Sequence, residues 1–218
     1  MATDTLRRKR AIQGYNDVRI GLKAKDREFV EEFARCIAKV LGRRPIRPIY
    51  RRSSGRYVVE VRSQTLYELL KKPVDLDRLK KYIEHCERCV AAFLRGFADS
   101  EGCVDKRGYI FILNTDLRLF TYVKDLLKGL NIESMGPKPN KRRGTVINDP
   151  RTGKQYVTNK EVDVIYIRAS SNINFYKYLG FTVTRKQIRL ENYVKRATRM
   201  PTPPPNHFPH IQHTQNNN

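Results

Sequence analysis

An order of elements occurs twice in this chain, and that repetition limits the possible folds more than any other feature. Val18 to Lys23 alternates apolar and polar residues, the period of a half-buried strand. Asp26 stands as a plausible N-cap before a stripe of Phe29, Val30, Phe33, Ile37, Val40 and Leu41 at helical spacing, and Gly42 ends the helix. A hairpin follows, from Ile46 to Arg51, through Ser53-Ser54-Gly55, and back along Tyr57 to Arg62. A short helix then runs from Leu66 to Lys71. The second copy begins with a strand at Tyr109 to Leu113 and a helix bearing Leu119, Tyr122, Val123, Leu126, Leu127 and Leu130. It continues with a long hairpin whose basic turn spans Lys138 to Lys154, a return strand from Val162 to Arg168, and a helix from Ile173 to Leu179. Phe33, Ile37 and Leu41 fall over Tyr122, Leu126 and Leu130 at a shift of 89, and Val59 to Arg62 over Ile165 to Arg168 at a shift of 106. The 17-residue difference is a longer second hairpin. Strands and helices mixed this way predict an α+β protein of two related halves.

The length of 218 residues suits one large domain or two small packed halves. The 44 Lys and Arg against 22 Asp and Glu leave a net charge of +22, spread along the chain and not held in one tail. A folded basic surface of this kind attracts polyanions, nucleic acid first. The composition also fits an unrelated RNA-binding protein. No run of about 18 apolar residues is present, so no membrane span is expected. The polar, basic residues Met1 to Tyr15 lack an apolar signal core, and a cytoplasmic, nucleoid-associated location is expected. Cys86 and Cys89 form a single C-x-x-C without a second matching pair, which reads as free thiols before a zinc site.

Between the repeats, Leu76, Leu79, Tyr82 and Ile83 supply one helical face, and a helix over residues 90–102 follows. Its stretch Leu94-Arg95-Gly96-Phe97-Ala98-Asp99-Ser100-Glu101-Gly102 resembles the motif of LAGLIDADG homing endonucleases. Gly96, Asp99 and Gly102 fall on the motif's own glycine, first acid and final glycine, and Glu101 on its second acid. The resemblance extends over about residues 17 to 195. It implies two pseudo-symmetric αββαββα repeats and a site-specific double-stranded DNA endonuclease dependent on a divalent metal, Mg²⁺. A hard cation prefers oxygen ligands. The resemblance accordingly makes Glu101 the catalytic, metal-binding acid, with the Ser100 backbone carbonyl as a second ligand. Asp99, Asn114, Lys106 and Lys186 are candidate supporting residues. Phe93, Gly96 and Phe97 are expected on the face where two motif helices pack, because a glycine lets a neighbouring backbone approach closely. Two acids at a helix C-terminus oppose its dipole, which favours function over a solvated turn.

The resemblance also implies that the hairpin sheets form a basic saddle over the DNA major groove. Arg19, Lys23, Arg51, Arg52, Arg56 and Arg62 in the first half, and Lys141, Arg142, Arg143, Lys154 and Arg168 in the second, are the expected contacts, most to phosphate and a few to base edges. One element departs from the pattern. Only Met1 to Asp17 precede Val18, and they hold no second motif. The second helix is then expected from a homodimer or companion chain, or the protein binds nucleic acid, including intron RNA, without cutting it. The expected organisation is a flexible basic arm over 1–16, an incomplete first repeat over 17–75, a second repeat over 76–198, and a disordered Pro/Asn/His tail over 199–218.

Overall fold

The computed structural model describes residues 7–9, 16–149 and 153–198. The expected C-terminal tail and Arg151 of the basic turn lie outside these residues. The elements are β1 (Arg7–Lys9), β2 (Asn16–Ala24), α1 (Arg27–Val40), β3 (Ile49–Arg51), β4 (Arg56–Arg62), α2 (Gln64–Leu70), α3 (Leu76–Ile83), α4 (Glu87–Glu101), β5 (Gly102–Val104), β6 (Ile110–Asn114), α5 (Leu117–Gly129), β7 (Ser134–Lys141), β8 (Val146–Asn148), β9 (Gln155–Val157), β10 (Val162–Ile167), α6 (Asn172–Asn174) and α7 (Thr184–Thr198). A π-helical turn, Phe175–Leu179, prolongs α6.

The predicted repeat is present as two antiparallel sheets of matching order, β1-β2-β4-β3 and β5-β6-β10-β7. Each strand of one sheet has its counterpart in the other. Two parts differ from the sequence reading. Arg7–Lys9, expected within a loose arm, pairs with β2 in the register Arg7↔Val18 and extends the first sheet. The 17 extra residues of the second hairpin are not one basic turn. They build a separate two-stranded ribbon of β8 and β9, with Val146 opposite Val157.

Alternation decides which face each sheet buries. Val18, Ile20 and Leu22 point inward from β2, while Arg19 and Lys23 remain on the outer face. Ile20, Leu22, Val59 and Val61 pack with Val30, Ala34 and Ile37 of α1 in one core. A larger core joins Ile110, Ile112 and Ile165 to Leu94 and Phe97 of α4 and to Phe120, Val123 and Leu127 of α5. Removing such apolar area from water contributes about 25 cal/mol per Å², so these two cores carry most of the stability.

Capping follows the sequence in places. Ser63 accepts from the Leu66 amide and Asp116 from the Leu119 amide, satisfying donors at the amino ends of α2 and α5. Asp26 stands at the N-cap position of α1 but makes no capping bond. The Arg185 guanidinium grips both of its oxygens instead, at 2.8 and 3.0 Å. Gly108 turns β5 into β6 with φ +92°, and a Cβ there would overlap the Tyr193 ring of α7.

Candidate active site and nucleic-acid interface

The motif residues end α4, and each has a distinct environment. The helix stops because Gly102 leaves it in extended conformation and opens β5. That glycine is required by space. A Cβ on it would sit 2.6 Å from the Ala98 carbonyl oxygen. Gly102→Ala is therefore expected to destabilise the protein by about 1–3 kcal/mol, read as a lower midpoint in urea or heat, since backbone must shift to relieve the overlap.

The two acids divide sharply. Asp99 is only 5% exposed. Its carboxylate accepts from the Thr182 amide (3.0 and 3.1 Å) and the Val183 amide (3.1 Å), immediately ahead of α7. Burial pushes its carboxyl above the usual range, and the two amides pull it back. Lys186 returns the contact. Its Nζ, on a side chain within a residue 5% exposed, donates to the carbonyls of Asp99 (2.6 Å) and Ala98 (3.2 Å). Burial pushes the Lys186 ammonium below the usual lysine range, opposed by the Asp99 carboxylate. The carboxyl end of α4 and the amino end of α7 thus clasp each other, and each helix end receives charge of the sign its dipole favours. Glu101 lies beyond this clasp, half-buried at the last turn.

Several site expectations change. Asp99 is turned away from a metal, because its carboxylate accepts from the amides just ahead of α7. Lys186, a candidate supporting residue, is buried beside the motif. Phe97 is 1% exposed and does not face outward for a second helix. It stacks with Phe93 (centroids 6.2 Å) and meets Phe120 (6.4 Å), while Phe93 meets Tyr122 (6.2 Å), so both rings belong to the core against α5. Gly96 is different. It lies on another side of α4, and among the described residues nothing stands within 4 Å of a Cβ placed on it. Arg95 occupies the motif's second position, donates to the Leu179 carbonyl, and is held below its ordinary pKa by burial. Asn114 closes a local turn by accepting from the Asp116 amide at 2.8 Å. Lys106 sits in the β5–β6 turn, past the whole of β5. Ser100 donates its hydroxyl to the Phe97 carbonyl at 3.0 Å.

The motif's place in the repeat is also explicit. α4 runs directly into β5, the counterpart of β1. A motif helix of the first repeat would precede Arg7, outside the described residues. The two halves meet close to the motif: Thr184 donates to Glu28 at 2.9 Å, and Arg185 pairs with Asp26.

The outer sheet faces have contrasting chemistry. The first is charged. Arg19 lies opposite Arg62, and Arg51 opposite Arg56, with Lys23 further along. Glu60 sits among them, 3.2 Å from Arg19 and 3.5 Å from Arg51. Arg52 is exposed in the β3–β4 turn. The second face is largely apolar. Phe111 and Tyr166 meet at 6.1 Å, Lys138 Nζ lies 5.0 Å from the Tyr166 ring, and Tyr109 and Met135 border a 680 Å³ groove. Sequence reasoning passed over this aromatic strip. Its trace was the unbroken apolar run Tyr109 to Leu113, where a strand with one wet face would alternate. Lys141, Arg142 and Arg143 lie at the base of the β8–β9 ribbon and Lys154 at its far end, and Arg168 follows β10 with Glu133 at 3.6 Å. Among the described residues no helix is long and apolar enough to cross a membrane.

Residues 88–180 match the family described as LAGLIDADG-like domain. Two uncharacterized proteins of Methanocaldococcus jannaschii are similar in sequence. MJ0314 is 34% identical over 124 residues, 52% of this chain and 46% of the relative. MJ0398 is 28% identical over 176 residues, 80% of this chain and 62% of the relative. The matches thus span only about half of one relative and three-fifths of the other. Among solved structures, I-DmoI in complex with DNA and Ca superposes with a TM-score of 0.55 at 18% identity, covering 86% of this chain and 90% of that one. I-DmoI in complex with DNA and Mn gives 0.52 at 19% identity, covering 80% and 87%. At such identity the likeness is one of fold, and it runs through both halves where the family match covers the second. With the motif helix, its glycine exit and the doubled sheet all accounted for, residues 88–180 form a LAGLIDADG-like domain in a chain that shares its fold with the homing endonuclease I-DmoI.

Proposed function

We propose that the chain binds double-stranded DNA across its two outer sheet faces and hydrolyses a phosphodiester bond at Glu101. The observation that carries this reading is the separation of the two motif acids. Asp99 is consumed by the α4–α7 clasp, while Glu101 stands past it at the helix end, where Gly102 redirects the chain. The similar I-DmoI structures hold DNA with Ca or Mn, which supports a divalent ion in this fold.

The donor set fits a hard cation such as Mg²⁺: the Glu101 carboxylate and the Ser100 carbonyl are both oxygen ligands. When bound, the ion would polarise the phosphate and lower the pKa of water. The protein's own contribution is positional. The clasp through Lys186 fixes the last turn of α4, so Ser100 and Glu101 are presented from a rigid support. The arginines of the first sheet neutralise phosphates and set the register of the duplex.

One motif acid serves one strand. Cutting both strands requires a second helix, and the open side of α4 at Gly96 is the surface on which a second copy or a companion chain would pack. Binding without cleavage is the second reading, favoured by the enclosure of Asp99 in the α4–α7 clasp, and intron RNA is its alternative ligand.

The test uses the full chain, a target selected from random duplex DNA, and a supercoiled plasmid carrying that target. Nicked circles in Mg²⁺ and none in EDTA are expected, with linear product appearing only if the chain self-associates. Tight duplex binding with intact supercoils at every divalent ion tried would establish the second reading instead.

A further inference from the structure

A second cluster of chemically competent side chains lies at the other end of the motif helix. Cys86 occupies the N-cap position of α4 and makes no capping hydrogen bond with its side chain. Cys89 stands in the first turn, and His85 precedes both in the elbow between α3 and α4. Cys86 Sγ is 3.3 Å from Cys89 Sγ, and Cys89 Sγ is 4.0 Å from His85 Nδ1. One ligand atom from each of the three residues lies within 4.8 Å of the others. His85 and Cys86 are exposed and Cys89 is partly so.

From this geometry we infer that His85, Cys86 and Cys89 form a three-ligand site for a thiophilic divalent cation of the zinc class, with water at the fourth position. Zn–S bonds of about 2.3 Å and Zn–N bonds of about 2.0–2.1 Å in a tetrahedron place sulfurs roughly 3.8 Å apart and sulfur from nitrogen roughly 3.5 Å. The observed 3.3 and 4.0 Å separations stand about half an ångström on either side, within reach of side-chain rotation alone. Two thiolates and an imidazole make a soft set that selects zinc over magnesium.

The site is separate from the proposed catalytic one. Twelve residues of helix between Cys89 and Glu101 place them roughly 18 Å apart. An oxygen site and a sulfur site therefore mark opposite ends of one helix. A bound ion would tie the α3–α4 elbow to the start of the motif helix. The inference does not rest on cleavage, so it stands or falls independently of the nuclease reading.

Cobalt is the probe. The full chain is reduced, stripped with chelator and titrated with Co²⁺ without oxygen. One equivalent is expected to give thiolate charge-transfer absorption and tetrahedral visible bands, both bleached by Zn²⁺. Cys86→Ser or Cys89→Ser is expected to weaken binding at least about 100-fold and His85→Ala about 10-fold or more, because each removes one of three ligands. Cys36→Ser with Cys103→Ser leaves the spectrum unchanged, as does Glu101→Gln. Circular dichroism confirms that each variant is folded. Absence of a thiolate band in the reduced protein, or a band that survives Cys86→Ser but vanishes with the Cys36 and Cys103 substitutions, would overturn the assignment. So would recovery of only a Cys86–Cys89 disulfide that holds no metal after reduction.

Discussion

Replacing Asp99 with alanine is expected to lower the unfolding free energy by about 2–5 kcal/mol, whereas Glu101→Gln is expected to change it by less than about 0.5 kcal/mol. The two residues are neighbours in one motif, and an acidic motif read by letters alone would treat them alike. Asp99 is buried and accepts from two backbone amides. Removing it strands both donors where water does not reach, at about 1–3 kcal/mol each. Native domains are stable by only about 5–15 kcal/mol, so such a loss is large. Glu101 is half-exposed, and glutamine matches its shape. The activities should separate the other way. Glu101→Gln is expected to cut plasmid at least about 10³-fold more slowly, since a metal-held transition state is worth several kcal/mol. Its affinity for the duplex should stay within a few-fold. Urea denaturation of both variants, beside a plasmid assay, reads all of this. Equal destabilisation by the two substitutions would sink the division of roles.

The Asp99 environment also predicts a pH signature. Its folded carboxyl titrates above the unfolded value because of burial. A group raised in this way contributes stability that is full below its unfolded pKa and is lost as pH rises through the folded one. The gap between wild type and Asp99→Ala should therefore widen as pH falls from neutrality toward 4.

Raising salt from about 50 to 200 mM is expected to weaken duplex binding by about 10³–10⁵-fold, because six to ten phosphate contacts release that many counterions. The two sheet faces should respond differently to substitution. Arg51 and Arg56 face each other across β3 and β4. Replacing both with glutamate is expected to reduce the slope of log affinity against log salt by about 2 and to cost about 10–100-fold in affinity. On the second face, Phe111→Ala and Tyr166→Ala remove apolar surface of the kind that contacts thymine methyl groups. They should leave the slope unchanged and relax base preference on one side of the target. Replacing thymine with deoxyuridine on that side should mimic them. An unaltered slope in the Arg51 and Arg56 variant would remove that face from the interface.

Glu60 bears on the first of these results. It holds Arg19 and Arg51 in the free protein. Ion pairs open to solvent contribute about 0–1 kcal/mol, and these are partly open, so a phosphate can displace the carboxylate at small cost.

The sequence by itself determined the repeat, the inward and outward sides of β2, the helix carrying the motif, and the resemblance to LAGLIDADG homing endonucleases. Each of these depends on periodicity or on residues close in the chain, and local spacing encodes both. It also pointed to Glu101, because the motif orders its acids. It did not reveal what Asp99 and Lys186 do. Asp99 meets amides more than 80 residues on, just ahead of a helix, α7, that the sequence reading did not predict, and Lys186 reaches back from that helix to α4. Asp26 shows the same limit: it looks like a helix cap, and only the approach of the start of α7 brings Arg185 to its carboxylate. Phe93 and Phe97 looked like an outward interface because the motif supplied no information on which side of α4 would meet α5. Tertiary structure decided these because burial, charge pairing and helix-end geometry are properties of surfaces brought together, and no spacing within one segment records them.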